Sequence, residues 1–102
     1  MVASEFGRTV RPNGTGGTDH GTGGLMMLAG GAVSGGRVHG DWPGLSDKQL
    51  YQGRDLATTT DIRSVFKGVL RDHMGLQPSD LDRVVFPQSS QVRPLEGLIR
   101  SV

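Results

Sequence analysis

The hydrophobic rhythm of this chain changes near its middle. Between residues 60 and 75, Ile62, Val65, Phe66, Val69, Leu70 and Met74 fall at i, i+3, i+4, i+7, i+8 and i+12. That spacing predicts one amphipathic helix with a single apolar stripe. Thr60 suits its N-cap, and Asp61 suits the positive end of its dipole. Arg71 belongs to the last turn and Gly75 to the C′ position. Pro78-Ser79-Asp80-Leu81 reads as the start of a second, shorter helix capped by Ser79, and Pro87 stops it.

Upstream the pattern is different. Leu25-Met26-Met27-Leu28-Ala29 is an unbroken apolar run closed by Gly30-Gly31. Such a run predicts a strand covered on both faces, as in a parallel sheet, and five residues are too few for a buried helix. The Ile62/Phe66/Val69 face of the main helix is expected against it. Met1-Val2-Ala3 reads as the end of another buried strand. Residues 37–39 read as a short strand, Asp41-Trp42-Pro43-Gly44 as a turn, and residues 45–56 as irregular with one helical turn. Residues 88–102 read as a tail with a turn of helix at 95–99.

Composition changes this picture in one respect. Of 17 glycines, thirteen lie in residues 1–44, and only 34% of the chain is hydrophobic. The expected core, Val2 with the run and the stripe, is small for the entropy of ordering the whole chain. The fold class expected is therefore α/β: the C-terminal piece of a mostly parallel sheet, with glycine-rich loops and one main amphipathic helix.

Charge and length exclude some partners. Eleven Lys and Arg against 10 Asp and Glu leave a net charge of +1, which gives no electrostatic reason to expect nucleic acid. The longest uncharged apolar stretch, residues 25–33, is too short to insert in a membrane. No cysteine is present, which excludes disulfides. The first residues carry neither the basic nor the apolar region of an export signal.

Chemistry-bearing residues concentrate in Ser4-Glu5-Phe6-Gly7-Arg8-Thr9 and Gly17-Thr18-Asp19-His20-Gly21. Glu5, Asp19 and His20 are ordinary oxygen and nitrogen metal ligands. Glu5 follows a strand end, where sites of open sheets lie. The glycine-rich loop is long enough to return His20 to it, and Asp19 could orient the imidazole from behind. The alternative is a solvated loop, with Asp19 capping a turn and Glu5 paired with Arg8 or Arg11. Residues 14–24 lack both the Walker and the dinucleotide glycine spacing. His39 reads as a surface residue, His73 as a half-buried packing residue, and Trp42 as a packing anchor. Arg54 and Asp55 are assigned no chemistry.

Four motifs occur in one order. They are Ser4-Glu5-Phe6-Gly7-Arg8-Thr9, Asn13-Gly14 through Gly17-Thr18-Asp19-His20-Gly21, Gly40-Asp41-Trp42-Pro43-Gly44-Leu45, and Gly53-Arg54-Asp55-Leu56 through Thr60-Asp61-Ile62-Arg63. Together they closely resemble the C-terminal part of the bacterial "domain of unknown function 1501" family over residues 1–87. That family looks like a branch of the alkaline phosphatase/sulfatase superfamily. Ser4-Glu5-Phe6-Gly7 stands where sulfatase-like enzymes carry Ser-Asp-His-Gly, whose Asp and His bind metal. Phe6 departs from that pattern: either the metal position is lost or His20 supplies the imidazole.

The resemblance implies an incomplete domain over residues 1–87 and a tail over 88–102. Its partner would be the N-terminal part of the domain, which carries the superfamily's nucleophile and first metal-binding aspartate. It implies descent from metal-dependent phosphate- or sulfate-ester hydrolases. Glu5 and His20 would then be ligands of a divalent metal such as zinc, and Arg8 would face the anion. It also implies an exported, periplasmic or extracellular parent. The rival reading is a binding or scaffold protein that kept the fold and lost the metal centre.

Overall fold

The structure, a computed structural model, describes residues 1–100. They fall into two compact units, the first made of Met1–Leu28 and His39–Thr59, the second of Ala29–Val38 and the chain from Thr60 onward.

The first unit holds four strands of two residues each: β1 (Val2–Ala3), β2 (Gly7–Arg8), β3 (His20–Gly21) and β4 (Met26–Met27). β1 pairs antiparallel with β4, placing Val2 opposite Met27 and Ala3 opposite Met26. β2 pairs antiparallel with β3, placing Gly7 opposite Gly21 and Arg8 opposite His20. The expected mostly parallel sheet is thus corrected to two small antiparallel ribbons, the second lying within the chain between β1 and β4. A parallel pair needs a crossover of a dozen or more residues, usually a helix. No helix lies between β1 and β4; the chain reverses through glycine-rich loops instead.

The apolar run is not covered on both faces. Leu25 is 74% and Met27 56% exposed, while Met26 and Leu28 are half-buried. This alternation is that of a ribbon covered on one side. Val2, expected in a core, is 61% exposed. The buried apolar residue of this unit is Leu50. It follows a turn in which the Gln49 and Leu50 amides both donate to Ser46 O, at 2.9 and 3.2 Å.

In the second unit the main helix forms as α1 (Ile62–Asp72). Its N-cap is Asp61, one residue after the expected Thr60; the Asp61 carboxylate accepts from Arg63 N at 2.9 Å. Gly75, at φ 74°, turns the chain so that Leu76 N reaches back to Leu70 O at 3.1 Å. Val65, Phe66, Val69 and Leu70 are half-buried, whereas Ile62 and Met74 at the two ends of the stripe are exposed. His73 is exposed too, not a packing residue.

The second helix is α2 (Pro78–Asp80), with proline in its first turn and Gln77 as N-cap in place of Ser79. It runs directly into a π-helical turn, Leu81–Val85, whose Leu81 is wholly buried. Phe86 follows and stacks on Phe66 with ring centroids 6.1 Å apart. Residues 95–99 form no helical turn. Ile99 instead bridges to Val33, and Leu98 is buried. Residues 37–39 form no strand, and Val38 is fully exposed. Among the described residues no helix is long and apolar enough to cross a membrane.

Candidate functional site

Three of the four sequence motifs meet in the first unit, and glycine is what lets them approach. A Cβ on Gly7 would lie 1.6 Å from Gly23 O, and one on Gly23 would lie 2.3 Å from Leu56 O. A Cβ on Gly21 would lie 2.3 Å from Asp55 Oδ1 and 2.9 Å from the Arg8 carbonyl carbon. Any side chain at these positions would force the backbones apart. The Gly53–Leu56 motif is also held by hydrogen bonds from the residues after β2. Val10 N donates to Arg54 O at 2.8 Å, and Arg11 Nε donates to Gly53 O at 3.1 Å.

The loop between β2 and β3 is built around Asn13. Its Oδ1 accepts from Thr15 N at 3.0 Å, Thr15 Oγ1 at 2.8 Å and Gly17 N at 3.0 Å. Its Nδ2 donates to Asp19 Oδ1 at 3.1 Å. This is the side chain–backbone bonding by which Asn stabilises turns. The buried Thr9 then locks the return strand: Thr9 N donates to Asp19 O at 3.0 Å, and Asp19 N donates to Thr9 Oγ1 at 3.2 Å.

His20 emerges from this frame on β3, opposite Arg8. Its ring lies against Phe6, with centroids 4.5 Å apart and planes 3° from parallel. Arg8 donates to Thr18 O at 2.9 Å. Arg11 pairs with Asp47. Neither arginine therefore pairs with Glu5, which is exposed, as are Arg8, Asp19 and His20. The Asp19 carboxylate is engaged by Asn13 at the loop.

The donor types suit a borderline cation, one imidazole and one carboxylate. Among the described residues, however, no three His, Cys, Asp or Glu side chains come together as a metal site. These residues do not close a metal centre by themselves. What the arrangement presents is a hairpin carrying an exposed imidazole and an exposed guanidinium, with the exposed Glu5 carboxylate two residues before β2.

Asp55 is the residue that sequence reasoning passed over. It is only 3% exposed, and its Oδ1 has no hydrogen-bond partner among the described residues. It packs on Gly21, the residue after His20. Its place in the Gly53-Arg54-Asp55-Leu56 motif was the signal available. The remaining motif stays on the surface: Trp42 is exposed rather than a packing anchor, and Thr59 Oγ1 donates to Asp41 O at 2.9 Å.

No curated protein and no solved structure matches the chain. The family profile described as "Protein of unknown function (DUF1501)" matches residues 1–85. This span takes in the hairpin, the loop around Asn13, the segment of Asp55 and α1, and the chain belongs to that family.

Proposed function

We propose that this chain is the C-terminal part of a sulfatase-like domain whose complete form hydrolyses a phosphate or sulfate ester. In this reading the β2–β3 hairpin supplies Glu5 and His20 toward a divalent cation such as zinc, with Asp19 behind them. The observation that carries the reading is the Phe6–His20 stack at 4.5 Å. By the sequence resemblance Phe6 falls where sulfatase-like enzymes carry a ligand histidine, and the stack brings an imidazole beside it. A cation there would polarise the ester oxygen. Arg8 spends one bond on Thr18 O and keeps further N–H donors for the oxygens of the anion. The exposed Val2, Leu25 and Met27 suit a ribbon that further chain of the same domain covers.

The test is the metal content of the complete protein. His20→Ala and Glu5→Gln should each lower the bound zinc or manganese. If both variants keep the wild-type stoichiometry, the metal reading is wrong.

A second reading has its own support. Phe6, at the position where the resemblance implies a ligand histidine, suits a binding or scaffold protein without a metal centre. A complete protein that purifies metal-free, and stays so after incubation with zinc or manganese, would favour it.

A further inference from the structure

Lys67 is a wholly buried lysine in the middle of α1. Lysine is almost never fully buried unless its charge is paired. Here the ammonium donates to Asp82 Oδ1 at 2.6 Å, Ser89 O at 2.7 Å and Val92 O at 2.9 Å. Its three donors are all used. Two of the three acceptors are backbone carbonyls that lie beyond residue 85, where the family match ends.

The same side of α1 makes further contacts with this segment. Leu95 N donates to Ser64 O at 2.9 Å, and Arg71 approaches Glu96 at 3.5 Å. Gly68 lies under Leu95: a Cβ there would be 2.3 Å from Leu95 O. Ser64, Lys67, Gly68 and Arg71 stand at i, i+3, i+4 and i+7, so they share one helix face. The far end of the segment is fixed by Ser34 N to Leu98 O at 2.9 Å and Arg100 N to Ala32 O at 2.8 Å.

We propose that residues 86–100 form a strap seated on the Ser64/Lys67/Gly68/Arg71 face of α1 and locked there by the Lys67 ammonium. Strap and helix then open together, and the cooperative unit extends past the end of the family match. A buried ion pair alone is weak evidence of stability. The lock rests instead on two main-chain carbonyls, which lose their buried donor when the ammonium is removed.

Gly68 supplies an independent test. On a helix face with nothing over it, Gly→Ala stabilises the helix. Under the strap, the new methyl meets Leu95 O and has the opposite effect.

The experiment is amide hydrogen exchange on the complete protein, comparing wild type with Lys67→Met and Gly68→Ala. Both variants should speed exchange at Leu95 and Arg100 by at least about tenfold. The Thr9 and Val10 amides of the first unit should keep their wild-type rates. Should Lys67→Met fail to fold, Gly68→Ala decides alone. Unchanged or slower exchange at Leu95 in Gly68→Ala overturns the strap, as does unchanged exchange in a folded Lys67→Met.

Discussion

Asp55 sets the sharpest problem at the scale of single residues. A buried acceptor without a donor costs about 1–3 kcal/mol, and Asp55 Oδ1 is such an atom. Asparagine has the same shape without the charge. Asp55→Asn should therefore leave the unfolding free energy from denaturant titration unchanged or raise it by up to about 1 kcal/mol. A clear loss of stability would mean that the carboxylate has a partner. Gly21→Ala should cost about 1–3 kcal/mol, since the methyl has no room. The methyl meets both Asp55 Oδ1 and the Arg8 backbone, so Asp55→Ala should rescue only part of that cost. A double-mutant cycle measures the rescued share, expected at about 0.5 kcal/mol or more. At this scale the chain discloses which residues bear chemistry and conceals what they touch. Glu5, Arg8, Asp19 and His20 are recognisable by type. That Asn13 takes the Asp19 carboxylate, and that Phe6 lies on His20, depends on how a glycine-rich loop closes.

Elements differ in how much of themselves they show. α1 is legible because its stripe repeats over three turns, and its start shifts by one residue because Thr60 and Asp61 are both capping types. The strands are not legible in the same way. Two paired residues are too few to display a period, so the run at 25–29 reads as a fully covered strand when it is half of a one-sided ribbon. The second face of α1 also escapes a hydropathy pattern, because it buries lysine and glycine instead of aliphatic side chains. The start of α1 yields a pH prediction. The hydrogen bonds from Arg63 to Asp61 hold that carboxyl below its ordinary value. A lowered folded-state value means that the charged form favours the fold. The contribution is present at neutral pH and is lost as pH falls from about 4 through the lowered value. Far-ultraviolet circular dichroism should show helix content falling in that window. Arg63→Gln should shift the loss toward the ordinary aspartate value. Asp61→Ala should cost about 1 kcal/mol at neutral pH through loss of the cap. An acid profile identical in Arg63→Gln and wild type would dismiss the role of Arg63.

For the whole molecule, family membership is legible while strand direction is not. Four ordered motifs survive any local misreading, whereas strand direction depends on pairings between distant residues. The domain proposed above adds one expectation at this scale: the 102 residues alone should not turn over phosphate or sulfate esters. Ester hydrolysis needs a nucleophile and stabilising groups held in place before the reaction begins. The His20 imidazole, the Glu5 carboxylate and the Arg8 guanidinium are all exposed. Water and salt screen exposed charges, so Arg8 alone would hold an anion weakly. Two donors also hold zinc less firmly than the three or four of a closed site. The isolated chain should therefore bind zinc weakly, and His20→Ala should remove what binding there is. Zinc titration of the purified chain and of His20→Ala, followed by calorimetry, tests the binding. A chromogenic phosphate or sulfate ester tests the absence of turnover. Turnover that survives repurification and disappears in His20→Ala would show that the hairpin is a complete site, and would end the reading of this chain as one part of a larger one.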